Sequence, residues 1–317
     1  MPFDQRPTSR ALALLTLERF RIKSATVTSD GVVLSSVLAH LSRRQLPSGG
    51  WAALRSSVQA SLESTCLATL AIGSDDSNEV RLAQEFLVRV QNPNGSWPAF
   101  FGDDRDGVWV TSLAVIALRD VATAIPARLA GIHWLMKYQG KEANWFWRWK
   151  FLTADRHVRF NPDKFGWPWI PDRVSWVVPT ALAILALSQV PCAWGDLEDI
   201  PLRVELGVEM LMDRACPGGG WNAGNGVVYG SALAPHPDDT AIALLVLNSR
   251  TQHPVVQASL KWLERRDLSE IFEHIEHLVS AVPAGLLKEL LNTELIHSDA
   301  VVRTMAKLTL SAAAPLN

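Results

Sequence analysis

A threonine at the head of an apolar run recurs four times in this chain, each time downstream of a turn that ends in tryptophan. The runs are TCLATLAI from Thr65, TSLAVIAL from Thr111, TALAILAL from Thr180 and TAIALLVL from Thr240. The turns are QLPSGGW (45–51), QNPNGSW (91–97), QGKEANW (139–145) and ACPGGGW (215–221), the last without its Gln. An apolar helical stretch precedes each turn: VLAHLSRR, FLVRV, IHWLMKY and VEMLMDR. One unit therefore reads as an amphipathic helix, a turn closed by Trp, and a helix that is apolar nearly all round and so must be buried on most sides.

Repeating such hairpins stacks them on a shared core. Because the second helices are apolar all round, they should form an inner layer ringed by the amphipathic ones. The expected fold is all-α, a closed (α/α)6 barrel or toroid of helical hairpins. One domain spanning 1–317 is expected, interrupted by an insertion at 146–179 that delays the fourth repeat. Thirteen Trp against two Tyr fits a chain in which Trp fills a repeated position. A net charge of −2 leaves no footprint for nucleic acid. Three cysteines without a CxxC pair favour a reducing compartment over a disulfide framework. The N-terminal run ALALLTL is too short for a membrane span and lacks a cleavage site, so a cytoplasmic location is expected.

FLVRVQNPNGSW (86–97) resembles the repeat named after its Gln and Trp in squalene cyclases, and the Gly-Gly-Trp turns resemble those of protein prenyltransferase β subunits. The resemblance covers roughly residues 35–265 and implies the six-hairpin barrel. It also implies that Gln ties a helix end to the turn, with Trp51, Trp97, Trp145 and Trp221 as packed staples.

The residues just ahead of the repeated Thr separate the fourth unit from the rest. Two before it stand Glu63, Trp109, Val178 and Asp238; one before stand Ser64, Val110, Pro179 and Asp239. Adjacent carboxylates at a helix head act as caps and complement the helix dipole. They also resemble the acid-bearing Asp-x-Asp-Asp-Thr-Ala segment of class II terpene cyclases, which the stretch 217–248 follows. That resemblance implies Asp238 as the proton donor to an alkene or epoxide, with Asp239 as its helix-capping neighbour. His236 stands where the family carries its first Asp; a protonated His236 bonded to Asp238 would lower the pKa of that acid.

The insertion and its flanks bring Trp145, Trp147, Trp149, Trp167, Trp169 and Trp176 among Arg148, Lys150, Arg156, Arg159, Lys164 and Arg173. This mixture suits a prenyl diphosphate or its carbocation, or else a surface flap with aromatics packed beneath it. If a ligand binds, the candidate contacts are Trp109, Trp147, Trp167, Trp169, Trp176, Tyr229, Glu63, Arg148 and Arg159. The segment is expected to lie over one barrel mouth with its aromatics facing inward. GDDRDG (102–107) is read as a solvated loop and HIEH (274–277) as a surface helix, so no resident metal or cofactor is expected; Mg2+ would enter only with a diphosphate substrate.

The leading expectation is a class II-type terpene cyclase acting on a linear isoprenoid. Peripheral membrane contact, a homodimer or a partner subunit would close its cavity. A non-catalytic isoprenoid-binding or interaction barrel is the alternative. A prenyltransferase β-like subunit would need an Asp-x-Cys pair and a His just before the repeated Thr, and neither is present.

Overall fold

The computed structural model describes residues 42–264 apart from 54–56, 73–76, 104, 154–158 and 191–196. The HIEH run, the ALALLTL run and Cys192 lie outside the described residues. Four helices carry the repeated Thr: α1 (Leu62–Ile72), α3 (Val108–Ala117), α6 (Val177–Leu187) and α8 (Pro237–Val246). Each is followed by a partner, respectively α2 (Asn78–Arg89), α4 (Ile125–Lys137), α7 (Ile200–Arg214) and α9 (Pro254–Glu264). One more helix, α5 (Trp145–Thr153), lies in the insertion. Three 3-10 turns and two short antiparallel pairs complete the described elements, the pairs being β1 (Trp51–Ala52) with β2 (Ala60–Ser61) and β3 (Val227–Val228) with β4 (Ser231–Ala232).

The Thr helices pack side by side in the order α1, α3, α6, α8, and each carries its own partner on its back. They are the inner layer, as their composition requires: α6 buries all its residues except Leu185. The outer helices are one-sided, as in α2, where Val80, Ala83, Phe86 and Leu87 form the buried stripe. Proline in the first turn of α4, α7 and α8 starts each where its missing N–H has no intrahelical partner to lose. A single apolar core runs through all four hairpins, with a satellite of Trp51, Ala68, Ile72, Val80 and Ala83 under the first. The described residues form four hairpins packed in sequence order; segments 1–41 and 265–317 lie outside them.

The repeated Thr and Trp are two ends of one bond. The backbone N–H of Trp51, Trp97, Trp167 and Trp221 donates to Oγ1 of Thr65, Thr111, Thr180 and Thr240 at 3.0, 3.0, 2.9 and 2.9 Å. The Thr hydroxyl donates in turn to a backbone carbonyl: Ser61 and Gly107, one turn back, in the first two hairpins, and the stapled Trp itself in the last two. The indole N–H of Trp97, Trp167 and Trp221 reaches the carbonyl of Leu87, Leu135 and Leu211 on the preceding outer helix. Every buried polar group of the staple thereby has a partner, as burial demands.

The third staple is Trp167, and the expectation for Trp145 is corrected: Trp145 is 77% exposed. The cause lies in the turn. In three hairpins a tight turn is closed by the pairs Leu46 with Gly50, Asn92 with Ser96 and Cys216 with Gly220. In the third, Gly140 N donates to Gly166 O, so residues 141–165 replace a three-residue turn and the insertion begins and ends earlier than 146–179. Gly95 and Gly219 show why that turn is otherwise so constrained. Both have φ near +90°, and a Cβ on either would meet the backbone of the next outer helix at 2.5 and 2.7 Å, which only glycine avoids.

The Gln of the turn does what the resemblance implies. The amides of Gln45 and Gln91 donate to Gly49 O and Gly95 O and also to Glu79 O and Ala127 O near the start of the next outer helix. Gln139 is exposed, and Arg203 replaces it from the opposite side. From α7 its guanidinium donates to Tyr138 O and Gly166 O and stacks 3.4 Å from the Trp167 ring centre. Burial lowers the Arg203 pKa to about 9, against the opposing pull of Glu142. In the fourth hairpin Ser259 on α9 accepts from Gly220 N instead.

Candidate functional site

The heads of the inner helices are built alike, and this sets the level at which each candidate residue stands. Four residues before the Thr, the backbone N–H of Gly107, Trp176 and His236 donates to the carbonyl of the stapled Trp97, Trp167 and Trp221 at 3.2, 3.1 and 2.7 Å. Trp176 and His236 are therefore equivalent N-cap positions, a relation hidden by their different chemistry. Trp176 is partly buried.

Two residues before the Thr the packing opens. Helix α3 buries every residue but Trp109, and in α1 Glu63 is likewise only partly buried. Trp109 packs edge-on against Trp169, ring centres 5.5 Å apart, while Val108 N donates to Trp169 O. Glu63 adds to the burial that pushes the Cys66 thiol up. Val178 at this level is buried. Asp238 is in the first turn of α8; its side chain lies outside the described residues.

Asp239, one before the Thr, is 3% exposed, at a level where the other hairpins place Ser64, Val110 and Pro179. A buried carboxylate needs a partner, and Oδ2 of Asp239 lies 2.8 Å from His236 Nδ1. Two expectations change. The Nδ1 contact of His236 runs to Asp239, and Asp239 is more than a cap for the helix terminus. The reason is helical spacing: from the N-cap, the residue within reach is the third one into the helix, and the contact joins the two side chains. The pair holds the head of α8 closed while Asp238 sits between its two members in sequence.

The insertion is locked beside this head by a buried ion pair that the sequence did not signal. Glu142 accepts from Ser175 N through both oxygens, at 3.1 and 3.2 Å, and from Arg214 at 3.3 Å. Arg214 also donates to Asn225 Oδ1 at 2.7 Å and lies 4.0 Å over the Phe160 ring. One guanidinium thus ties the start of the insertion at Glu142 to Phe160 within it and to Asn225 after the fourth staple. Val177 N donates to Ala223 O, which joins the head of α6 to the same loop. Burial lowers the Arg214 pKa against the opposing charges of Glu142 and Asp213.

The remaining candidates divide. Trp109, Trp169 and Trp176 gather at the inner-helix heads, whereas Trp167 is wholly buried as a staple. Trp147 faces the insertion's own cations, Lys141 at 3.6 Å and Lys150 at 4.7 Å. Arg148 pairs with Asp163 at 2.6 Å. Arg159 is exposed, and Tyr229 is exposed at the β3–β4 turn with φ of +51°. The expected inward orientation therefore holds for the second half of the segment and, within α5, only for the half-buried Trp147 and Phe151; Trp145 and Trp149 are exposed. In GDDRDG, Asp106 accepts from Asn92, Asn94 and Ser96, which makes it a brace of the second turn.

No protein-family model matches the sequence, and no curated protein matches it. Among solved structures, the fold is similar to that of the type II terpene cyclase MstE from Scytonema. The apo enzyme is 18% identical, over 82% of this chain and 68% of that one, with a TM-score of 0.51. A variant of it in complex with geranylgeranyl dihydroxybenzoate, its substrate, is 17% identical with the same coverage and TM-score. Another, bound to the product merosterolic acid A, is 18% identical over 82% of this chain and 70% of that one, with a TM-score of 0.50. At these identities the likeness establishes a shared helical-hairpin fold. No helix of the described residues is long and apolar enough to cross a membrane.

Proposed function

We propose that this chain is a class II-type terpene cyclase, an isomerase or lyase that completes an (α/α)6 barrel and cyclises a linear isoprenoid by protonation. The reading is carried by the head of α8, where two adjacent carboxylates follow His236 and the second is buried against it. The fold shared with MstE supports it, since structures of that enzyme hold a geranylgeranyl substrate and a cyclised product.

In this mechanism Asp238 transfers its proton to a terminal alkene or epoxide, and the resulting cation is attacked in turn by the internal double bonds of the chain. Loss of a proton or capture of water ends the sequence and leaves the acid to be reprotonated. The Asp239–His236 pair acts as a positioning device for the first turn of α8. With Nδ1 of His236 engaged by Asp239, that ring nitrogen is not free to take the Asp238 proton. Trp109, Trp169 and Trp176 offer aromatic faces to a cation. The scattered cations of the insertion favour a substrate recognised through its apolar chain, with a diphosphate not required.

The test is incubation of the full chain with geranyl, farnesyl and geranylgeranyl diphosphates, squalene and geranylgeranyl dihydroxybenzoate, followed by product analysis. A cyclised product that keeps any headgroup bonded to the chain is expected from one of them. Binding of these substrates without turnover would make the chain a non-catalytic isoprenoid-binding barrel.

A further inference from the structure

Helix α5 is aromatic on both of its faces, and among the described residues only one of them meets other aromatic rings of the protein. Trp147 and Phe151 turn inward, ring centres 6.1 Å apart, and Phe151 continues to Phe160 at 5.1 Å. On the opposite side Trp145, Phe146, Trp149 and Leu152 are 77, 46, 58 and 57% exposed. The positions i, i+1, i+4 and i+7 place these four on one stripe. A contiguous exposed apolar stripe marks an interaction surface.

The chemistry of the flanks identifies the occupant. Arg148, which pairs with Asp163 at 2.6 Å, borders the stripe on one side and Lys150 on the other, with Lys141 just before the helix; Lys141 and Lys150 lie against the face of Trp147. Trp and Phe with basic neighbours on a short helix is the composition that settles at a bilayer surface, rings at the headgroup boundary and cations among anionic headgroups. A second copy of the chain is the competing occupant, but protein interfaces deplete Lys from the contact. We propose that α5 docks this protein on an anionic membrane surface, inserting Trp145, Phe146, Trp149 and Leu152 into the headgroup–acyl boundary. The inference rests on the insertion alone and holds whether or not the chain is a cyclase.

The experiment is co-sedimentation of the full chain with vesicles of phosphatidylcholine containing phosphatidylglycerol, and with phosphatidylcholine alone, beside sedimentation equilibrium without lipid. The wild type is expected to bind the mixed vesicles more tightly, and added salt should weaken that binding. Trp145→Ser with Trp149→Ser should lower the affinity by about tenfold or more, since two large apolar groups leave the boundary, while Trp145→Phe with Trp149→Phe keeps most of it. The exposed positions leave the melting temperature unchanged in both. No binding by the wild type, or equal binding by the Ser variant, would overturn the proposal. So would a wild-type dimer that the Ser variant converts to monomer without any vesicle binding, because that result gives the face to a second copy.

Discussion

Trp167 and Trp145 stand in the same segment, follow the same outer helix and were equally eligible to staple the third hairpin, yet one is fully buried and the other points into solvent. What separates them is not hydrophobicity. Trp167 has a Thr hydroxyl for its backbone N–H, a helix-end carbonyl for its indole and a guanidinium on its face, so each polar group it buries is satisfied. A Trp staples a hairpin here where the next inner helix supplies that acceptor, and Trp145 sits on a helix of its own. The difference also separates two jobs: the staples build the heads of the inner helices, and Trp145, Phe146 and Trp149 of α5 point away from the fold.

The sharpest way to break the comparison is to truncate both residues. Trp167→Ala should destabilise the protein by about 3–5 kcal/mol, as loss of a fully buried large side chain does, whereas Trp145→Ala should stay within about 0.5 kcal/mol, as at an exposed site. Denaturant unfolding of the two variants measures both, and equal losses would contradict the assignment of the staple. Next in size is the lock that holds the insertion. Glu142→Gln removes the nearer counter-charge of buried Arg214, leaving Asp213 at 3.7 Å, and should cost about 3 kcal/mol; Glu142→Gln combined with Arg214→Met should recover much of it, because a buried pair is worth less than either orphaned partner costs.

A smaller effect tests the Thr–Trp bond. Thr180→Val and Thr111→Val each keep the shape but leave a buried Trp N–H without an acceptor, at a cost of about 1–3 kcal/mol, and the two losses should match if the third hairpin is stapled like the second. The smallest lies on an outer helix. Ser77 caps α2 through Val80 N and also donates to Glu79, holding that carboxyl below its usual range. Ser77→Ala should cost about 1 kcal/mol. The sign of the Glu79 part is that of a depressed carboxylate: it is present above the ordinary Glu pKa near 4.5 and lost as pH falls through the lower folded value. The difference between wild type and variant should therefore shrink in acid.

Much of this architecture is legible in the sequence because the same physical constraint is written four times. The inner helices had to be apolar all round, and Thr and Trp had to recur with them. The third staple was misread because its markers changed together. Phe165 stands where Gly95 and Gly219 make the turn, Arg203 on α7 does the work of Gln, and the turn itself has grown to residues 141–165. Counting back from Thr180 would have found Trp167, whose separation from its Thr is nearly that of Trp51 and Trp97 from theirs. The pairing of His236 with Asp239 was legible as an N-cap to third-residue contact, but the repeat drew attention to Asp238 instead. The Glu142–Arg214 lock joins residues far apart in sequence, and no periodicity announces such a contact.

Asp238→Asn compared with Asp239→Asn is the most direct test of the proposed chemistry. Each variant is assayed with whichever isoprenoid the wild type cyclises, and its melting temperature is recorded beside its turnover. Loss of the general acid should lower turnover by about 10²–10⁴-fold with little change in melting temperature. Asp239→Asn, which weakens a buried contact to His236, should lower the melting temperature more and turnover less. Full turnover in Asp238→Asn, under conditions where the wild type is active, would contradict the account and leave the two carboxylates as structural groups of a helix terminus.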